Sequence, residues 1–183
     1  MSISGTLQSK PYHLEPHDKV TQVTLYTTHM ALRGEIVTRS AVRVSNWLRL
    51  PGLPAYAPVY CATARFFPGA GNSYGRDFLE FHVPLESIIA MHMTPPICDP
   101  VDYDPLEKNR KMEPVTVMTG PFLLSGQLRM PSHQRVSQLL ENMRDPFMLL
   151  YDTEVACVDG SIGVTRTPII LVRPSVCCFT PTT

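Results

Sequence analysis

Ser40-Ala41-Val42-Arg43-Val44-Ser45-Asn46-Trp47-Leu48 returns 92 residues later as Ser132-His133-Gln134-Arg135-Val136-Ser137-Gln138-Leu139-Leu140. Both copies place apolar residues at i, i+3 and i+4: Val44, Trp47, Leu48 and Val136, Leu139, Leu140. That spacing puts one apolar stripe along a helix of about two turns. The Ser three residues ahead of each Arg predicts an N-cap, with helices over 40–48 and 132–140. So short a helix is not stable alone in water, because its nucleus is costly. Each must therefore lie on a larger element that is also present twice.

The surrounding chain meets that requirement. Val23/Val115, Thr24/Thr116, Leu32/Leu124, Gly34/Gly126, Arg43/Arg135 and Leu48/Leu140 are identical pairs at the same offset. An internal duplication is the expectation. In the first copy, Val23 and Leu25 alternate with Thr24 and Tyr26, the period of a strand. A second strand over 31–37 contains Gly34, which signals a bend or a close backbone approach. After the helix come strands over 59–67, 78–83 and 87–91. The second copy runs 115–118, 122–128, helix, 147–155, 168–172 and 175–179.

The segments outside the repeats are proline-rich and polar. Residues 1–22 read as an N-terminal arm. Residues 95–114 read as an extended linker, acidic at Asp99, Asp102 and Asp104 and basic at Lys108, Arg110 and Lys111. The glycine-rich stretch 68–75 reads as a flexible loop without phosphate-binding spacing. The expected domains are thus 1–22, 23–94, 95–114 and 115–183.

Composition narrows the function classes. Charged residues make up 17% and the net charge is zero, unlike the basic footprint of a dedicated nucleic-acid binder. The eighteen prolines favour short strands and turns over long helices. Five cysteines in no metal-ligand spacing read as reduced, small hydrophobes. No segment resembles a signal peptide or reaches membrane-spanning length, so the expected compartment is the cytoplasm with no membrane insertion.

Gly34-Glu35-Ile36 and Gly126-Gln127-Leu128, the two Arg-Val-Ser-x-x-Leu stretches and Leu150-Tyr151-Asp152-x-x-Val155 resemble small bacterial proteins of Sm-like fold. The resemblance covers about 23–93 and 115–179. It implies two tandem, bent five-stranded barrels, mainly β; the element order read above puts a short helix between the second and third strands of each. It also implies pairing of exposed strand edges between neighbours. RNA binding is the alternative implied function. However, the helix precedes the first strand in RNA-binding Sm proteins, and neither copy carries their Asp-x-x-Met-Asn loop.

No nucleophile motif, paired-histidine helix, P-loop or dinucleotide fingerprint occurs. The expectation is a non-enzyme with no catalytic residues, cofactor or metal, acting by association with itself or another protein. The candidate interaction edges are Ile88, Ile89 and Met91 in the first copy and Val176, Cys177 and Phe179 in the second. These apolar runs lack the Lys or Arg that guard an exposed edge. Arg43 and Arg135 are candidate anion contacts, since a guanidinium fork suits phosphate or carboxylate; the plainer reading is stem packing over apolar surface.

Overall fold

The computed structural model describes residues 10–67, 74–160 and 162–182; most of the glycine-rich loop and the first nine residues of the arm lie outside them. The chain is mainly β. In the first half the order is β1 (Asp18–Tyr26), β2 (Met30–Arg39), α1 (Val44–Trp47), β3 (Tyr56–Phe66), β4 (Tyr74–Pro84), a 3₁₀ turn (Leu85–Ser87) and β5 (Ala90–Met93). The second half follows with β6 (Arg110–Thr119), β7 (Phe122–Pro131), α2 (Val136–Asn142), β8 (Met148–Cys157), β9 (Thr165–Val172), a 3₁₀ turn (Pro174–Val176) and β10 (Cys178–Pro181).

The strands do not form two closed barrels. They make one open antiparallel sheet in the order β10-β6-β7-β8-β9-β5-β1-β2-β3-β4. Each half supplies five consecutive strands, and the halves meet where β5 pairs with β9, Ala90 opposite Val172 and Met91 opposite Leu171. β5 and β9 each complete their ladders across the halves, so neither half needs to close on itself.

Local sequence accounts for the strand shapes. Gly34 sits at a register shift where β2 crosses β3. A Cβ there would lie 2.6 Å from Val59 Cγ1 and 2.8 Å from Tyr60 O, closer than real contacts allow. Gly126 holds the same place between β7 and β8, against Thr153 and Tyr151 O. Opposite these glycines, Cys61 and Asp152 both take a left-handed φ of 47°, the extra-residue geometry of a bulge.

The helices start later than the sequence predicts. Arg43 and Arg135, not the serines, occupy the N-cap positions. The serines instead tie down the preceding turn: Ser40 N–H donates to His17 O (2.7 Å) and Ser132 N–H to Asn109 O (3.0 Å). A linker residue takes over the capping role, Asp99 Oδ2 accepting from Ser45 N–H at 2.7 Å. In α2, Gln138 Oε1 accepts from Arg135 N–H at 3.0 Å.

The arm and linker also differ from their predicted limits. β1 begins at Asp18, inside the predicted arm, and β6 at Arg110, inside the predicted linker. Polar residues at the starts of both strands hid them, because those starts are only partly buried. The described arm is docked: Lys10 Nζ and Tyr12 OH reach Glu35 at 2.6 and 2.7 Å. Tyr151 OH fastens the linker by donating to Asp102 at 2.7 Å.

Two apolar cores interlock. The first contains Leu25, Leu32, Val44, Trp47 and Val59 together with Phe147 and Leu171 of the second half. The second contains Val117, Leu124, Leu150 and Ile170 together with Tyr26, Ile89 and Ala90 of the first. Trp47 is buried, as its place on the α1 stripe predicts.

Candidate interaction edges

The six apolar edge residues fall in two different environments. Ile88, Ile89 and Met91 are buried at the junction between the halves. Ile89 N–H donates to Tyr26 O (2.9 Å), and Ile89 O accepts from Arg173 N–H (2.8 Å). Val176 is exposed, Cys177 and Phe179 are half-buried, and among the described residues β10 pairs only with β6. The first set thus makes an internal joint and the second borders an open edge.

The ladder registers show which positions correspond. Ala90 opposes Tyr26 in β1 as Cys178 opposes Met118 in β6, so β10 is the counterpart of β5. Pro58 opposes His82 as Leu149 opposes Leu171, and Ala57 opposes Val83 as Met148 opposes Val172. β4 is therefore the counterpart of β9. The internal joint uses the last strand of one half and the fourth strand of the other. The same two strand types, β10 and β4, are left at opposite ends of the sheet.

Burial follows this division. Ile169 to Val172 are all buried under the joint, whereas their counterparts Glu80 to His82 are exposed or half-buried, and only Val83 is buried. β4 carries exposed Tyr74 and Leu79 and half-buried Phe78 and Phe81 between charged residues. Composition alone missed this edge, because Arg76, Asp77 and Glu80 make it read as an ordinary solvated face. Its signal was the set of aromatics Tyr74, Phe78 and Phe81 scattered among those charges.

Arg173 is a second residue missed in the sequence. Its Nε donates to Ile88 O at 2.9 Å and its Nη2 to Leu85 O at 2.7 Å, while the guanidinium lies 4.5 Å from the Phe147 ring centroid. Burial pulls its pKa down, against the pull of the Glu86 carboxylate. This fork satisfies carbonyls of the first 3₁₀ turn and fixes the halves together. Its counterpart on the open edge is Pro84, which has neither the side chain nor the N–H.

The remaining predicted contacts stay apart. Arg43 and Arg135 are exposed at the starts of α1 and α2. His82 lies on β4 against Glu80 (3.0 Å), and His92 lies on β5, with β1, β2 and β3 between those strands. Among the described residues, no group of three or more His, Cys, Asp or Glu side chains could hold a metal ion, and no helix is long and apolar enough to cross a membrane. Comparisons with protein-family models, curated proteins and solved structures found no match to this chain.

Proposed function

We propose that this chain is a non-enzymatic, cytoplasmic assembly protein that associates with copies of itself, head to tail, through β10 of one copy and β4 of the next. One observation carries the reading: the β5–β9 joint is heterologous, and its two strand types recur unpaired at the ends of the sheet. Unpaired strand backbone is a template for another strand. A heterologous contact repeated between copies closes into a ring or runs on as a filament. In this reading each half is an opened Sm-like unit, and the duplication places two such units in every chain.

The joint between copies is weaker than the internal one. Pro84 replaces the Arg173 clamp, and His82 with its Glu80 partner replaces the fully buried Leu171. Association is therefore reversible and concentration-dependent. RNA binding, the alternative, has only the fold resemblance behind it and runs against a net charge of zero.

Sedimentation of the full chain over a wide concentration range tests the proposal. Multimers are expected, and Leu79→Lys combined with Phe179→Lys should shift them to monomer without changing the circular dichroism spectrum. A wild-type chain that stays monomeric at all concentrations would refute self-association.

A further inference from the structure

The two helix stripes match in sequence but differ in cover. Trp47 and Leu48 are buried, whereas their counterparts Leu139 and Leu140 are only half-buried. In the first half a neighbour supplies the cover. The core that holds Leu48 and Met91 also takes in Phe147 of the second half, and Leu53 and Leu85 pack against it. The Phe147 ring lies against the Arg173 guanidinium, which bonds Leu85 O and Ile88 O. This aromatic is therefore seated beside the first 3₁₀ turn.

The second half presents a groove at the corresponding place. Leu140 and Met143 at the end of α2, with Cys177 and Phe179 around the start of β10, line about 510 Å³. Leu140 matches Leu48 by the common offset. Phe179 matches Met91, since Val117 opposes the one as Leu25 opposes the other. Pro174, which opens the second 3₁₀ turn as Leu85 opens the first, lines the groove too.

The chain also exposes a counterpart of Phe147. Ala57 opposes Val83 as Met148 opposes Val172, so Tyr56 and Phe147, the residues just before, correspond. Tyr56 is 54% exposed and Phe147 3%. Tyr56 stands one strand in from the open β4, as Phe147 stands one strand in from β9. The chemistry changes on both sides together. Arg144 and Arg173 line the groove; counted from Tyr56 and Phe147, Arg144 takes the place of Leu53, and Arg173 that of Pro84. The aromatic changes in step from Phe to Tyr, whose hydroxyl accepts from a guanidinium where a Phe ring has no oxygen.

We propose that this groove is a socket for Tyr56 of the next copy, seated there as Phe147 is seated in the first half. The socket rests on the head-to-tail association proposed above and names the side chain that anchors each contact. A buried aromatic removes about 150–250 Å² from water, and Tyr and Arg are the residue types that most often dominate an interface. One copy gives the tyrosine and the other the groove, so every contact has a direction.

Sedimentation of full-length variants tests the socket. Tyr56→Ala should weaken association about ten-fold or more and Tyr56→Phe several-fold, with unchanged circular dichroism because Tyr56 is exposed in the single chain. Met143→Arg, which obstructs the groove, should also give monomers. An equimolar mixture of Y56A and M143R should form heterodimers and stop there, since only one intact tyrosine can meet one intact groove. Should M143R lose its fold, Y56A alone still decides. The socket is overturned, and strand pairing kept, if Y56A associates like the wild type while Leu79→Lys combined with Phe179→Lys is monomeric. It is also overturned if M143R folds and is monomeric but the mixture forms no heterodimer, because the groove then receives something other than Tyr56. A wild type that is monomeric at all concentrations overturns both the socket and the association beneath it.

Discussion

Gly34 is held by contact rather than by backbone conformation, since β3 passes so close that a methyl group would strike Val59 and Tyr60 O. Gly34→Ala should destabilise the chain by about 1–3 kcal/mol through overpacking, read as a lower urea midpoint with unchanged slope. Sequence exposed this constraint, because a glycine inside an alternating pattern weakens the strand unless a bend or a close neighbour requires it. It could not expose the left-handed Cys61 and Asp152 opposite the glycines, since neither residue type demands that conformation. His92 gives a pH test at the same scale. Its folded pKa is depressed, by burial above all and against the Met93 hydrogen bond, so the unfolded chain takes up the proton first as the pH falls. Its contribution is full above the ordinary imidazole value of about 6.5 and is lost progressively below it. Wild-type stability should therefore fall from pH 7.5 to pH 5 more steeply than that of His92→Gln. Parallel pH curves for the two proteins would show that His92 is not held neutral by burial.

Among the elements, the helices show how a stripe can be legible when its cap is not. Val44, Trp47 and Leu48 are buried as their spacing requires, because that pattern depends only on neighbours along the chain. The cap depends on Asp99, more than fifty residues away, whose carboxylate meets Ser45 N–H. Asp99→Ala should thus cost about 0.5–2 kcal/mol, the usual range for a lost cap. Ser40→Ala, which keeps the backbone bond to His17 O, should cost less. Thermal melts of the two variants decide the matter, and a larger loss at Ser40 would return the cap to the serine. The strands follow the same rule. Their alternation was readable, but the polar first residues of β1 and β6 were not, because pairing alone makes them strand.

Across the whole molecule, the sequence showed two similar halves but not how they join. Ile88, Ile89 and Met91 read as a strand buried on both faces, and they are buried. Whether the covering strand belonged to the same chain or another could not be read, since a distant partner leaves no local pattern. In the structure β9 pairs with Met91 and the following Arg173 bonds the carbonyls of Ile88 and Ile89, whereas β10 is left open at the far end. If β10 and β4 repeat the internal joint between copies, they should also repeat its register. Met91 opposes Leu171 there, so Phe179 of one chain should oppose His82 of the next. Directly opposed residues of antiparallel strands stand about 4.5–5.5 Å apart at Cα, within the span a disulfide bridges. With exposed Cys61, Cys98 and Cys178 replaced by Ser, His82→Cys and Phe179→Cys in one chain should form a ladder of covalent multimers under mild oxidation. Either cysteine alone should give at most a dimer. A closed ring would end the ladder at a fixed size, whereas a filament would extend it. If the double-cysteine chain remains monomeric while the parent still sediments as a multimer, copies associate by another surface and the repeated register is wrong.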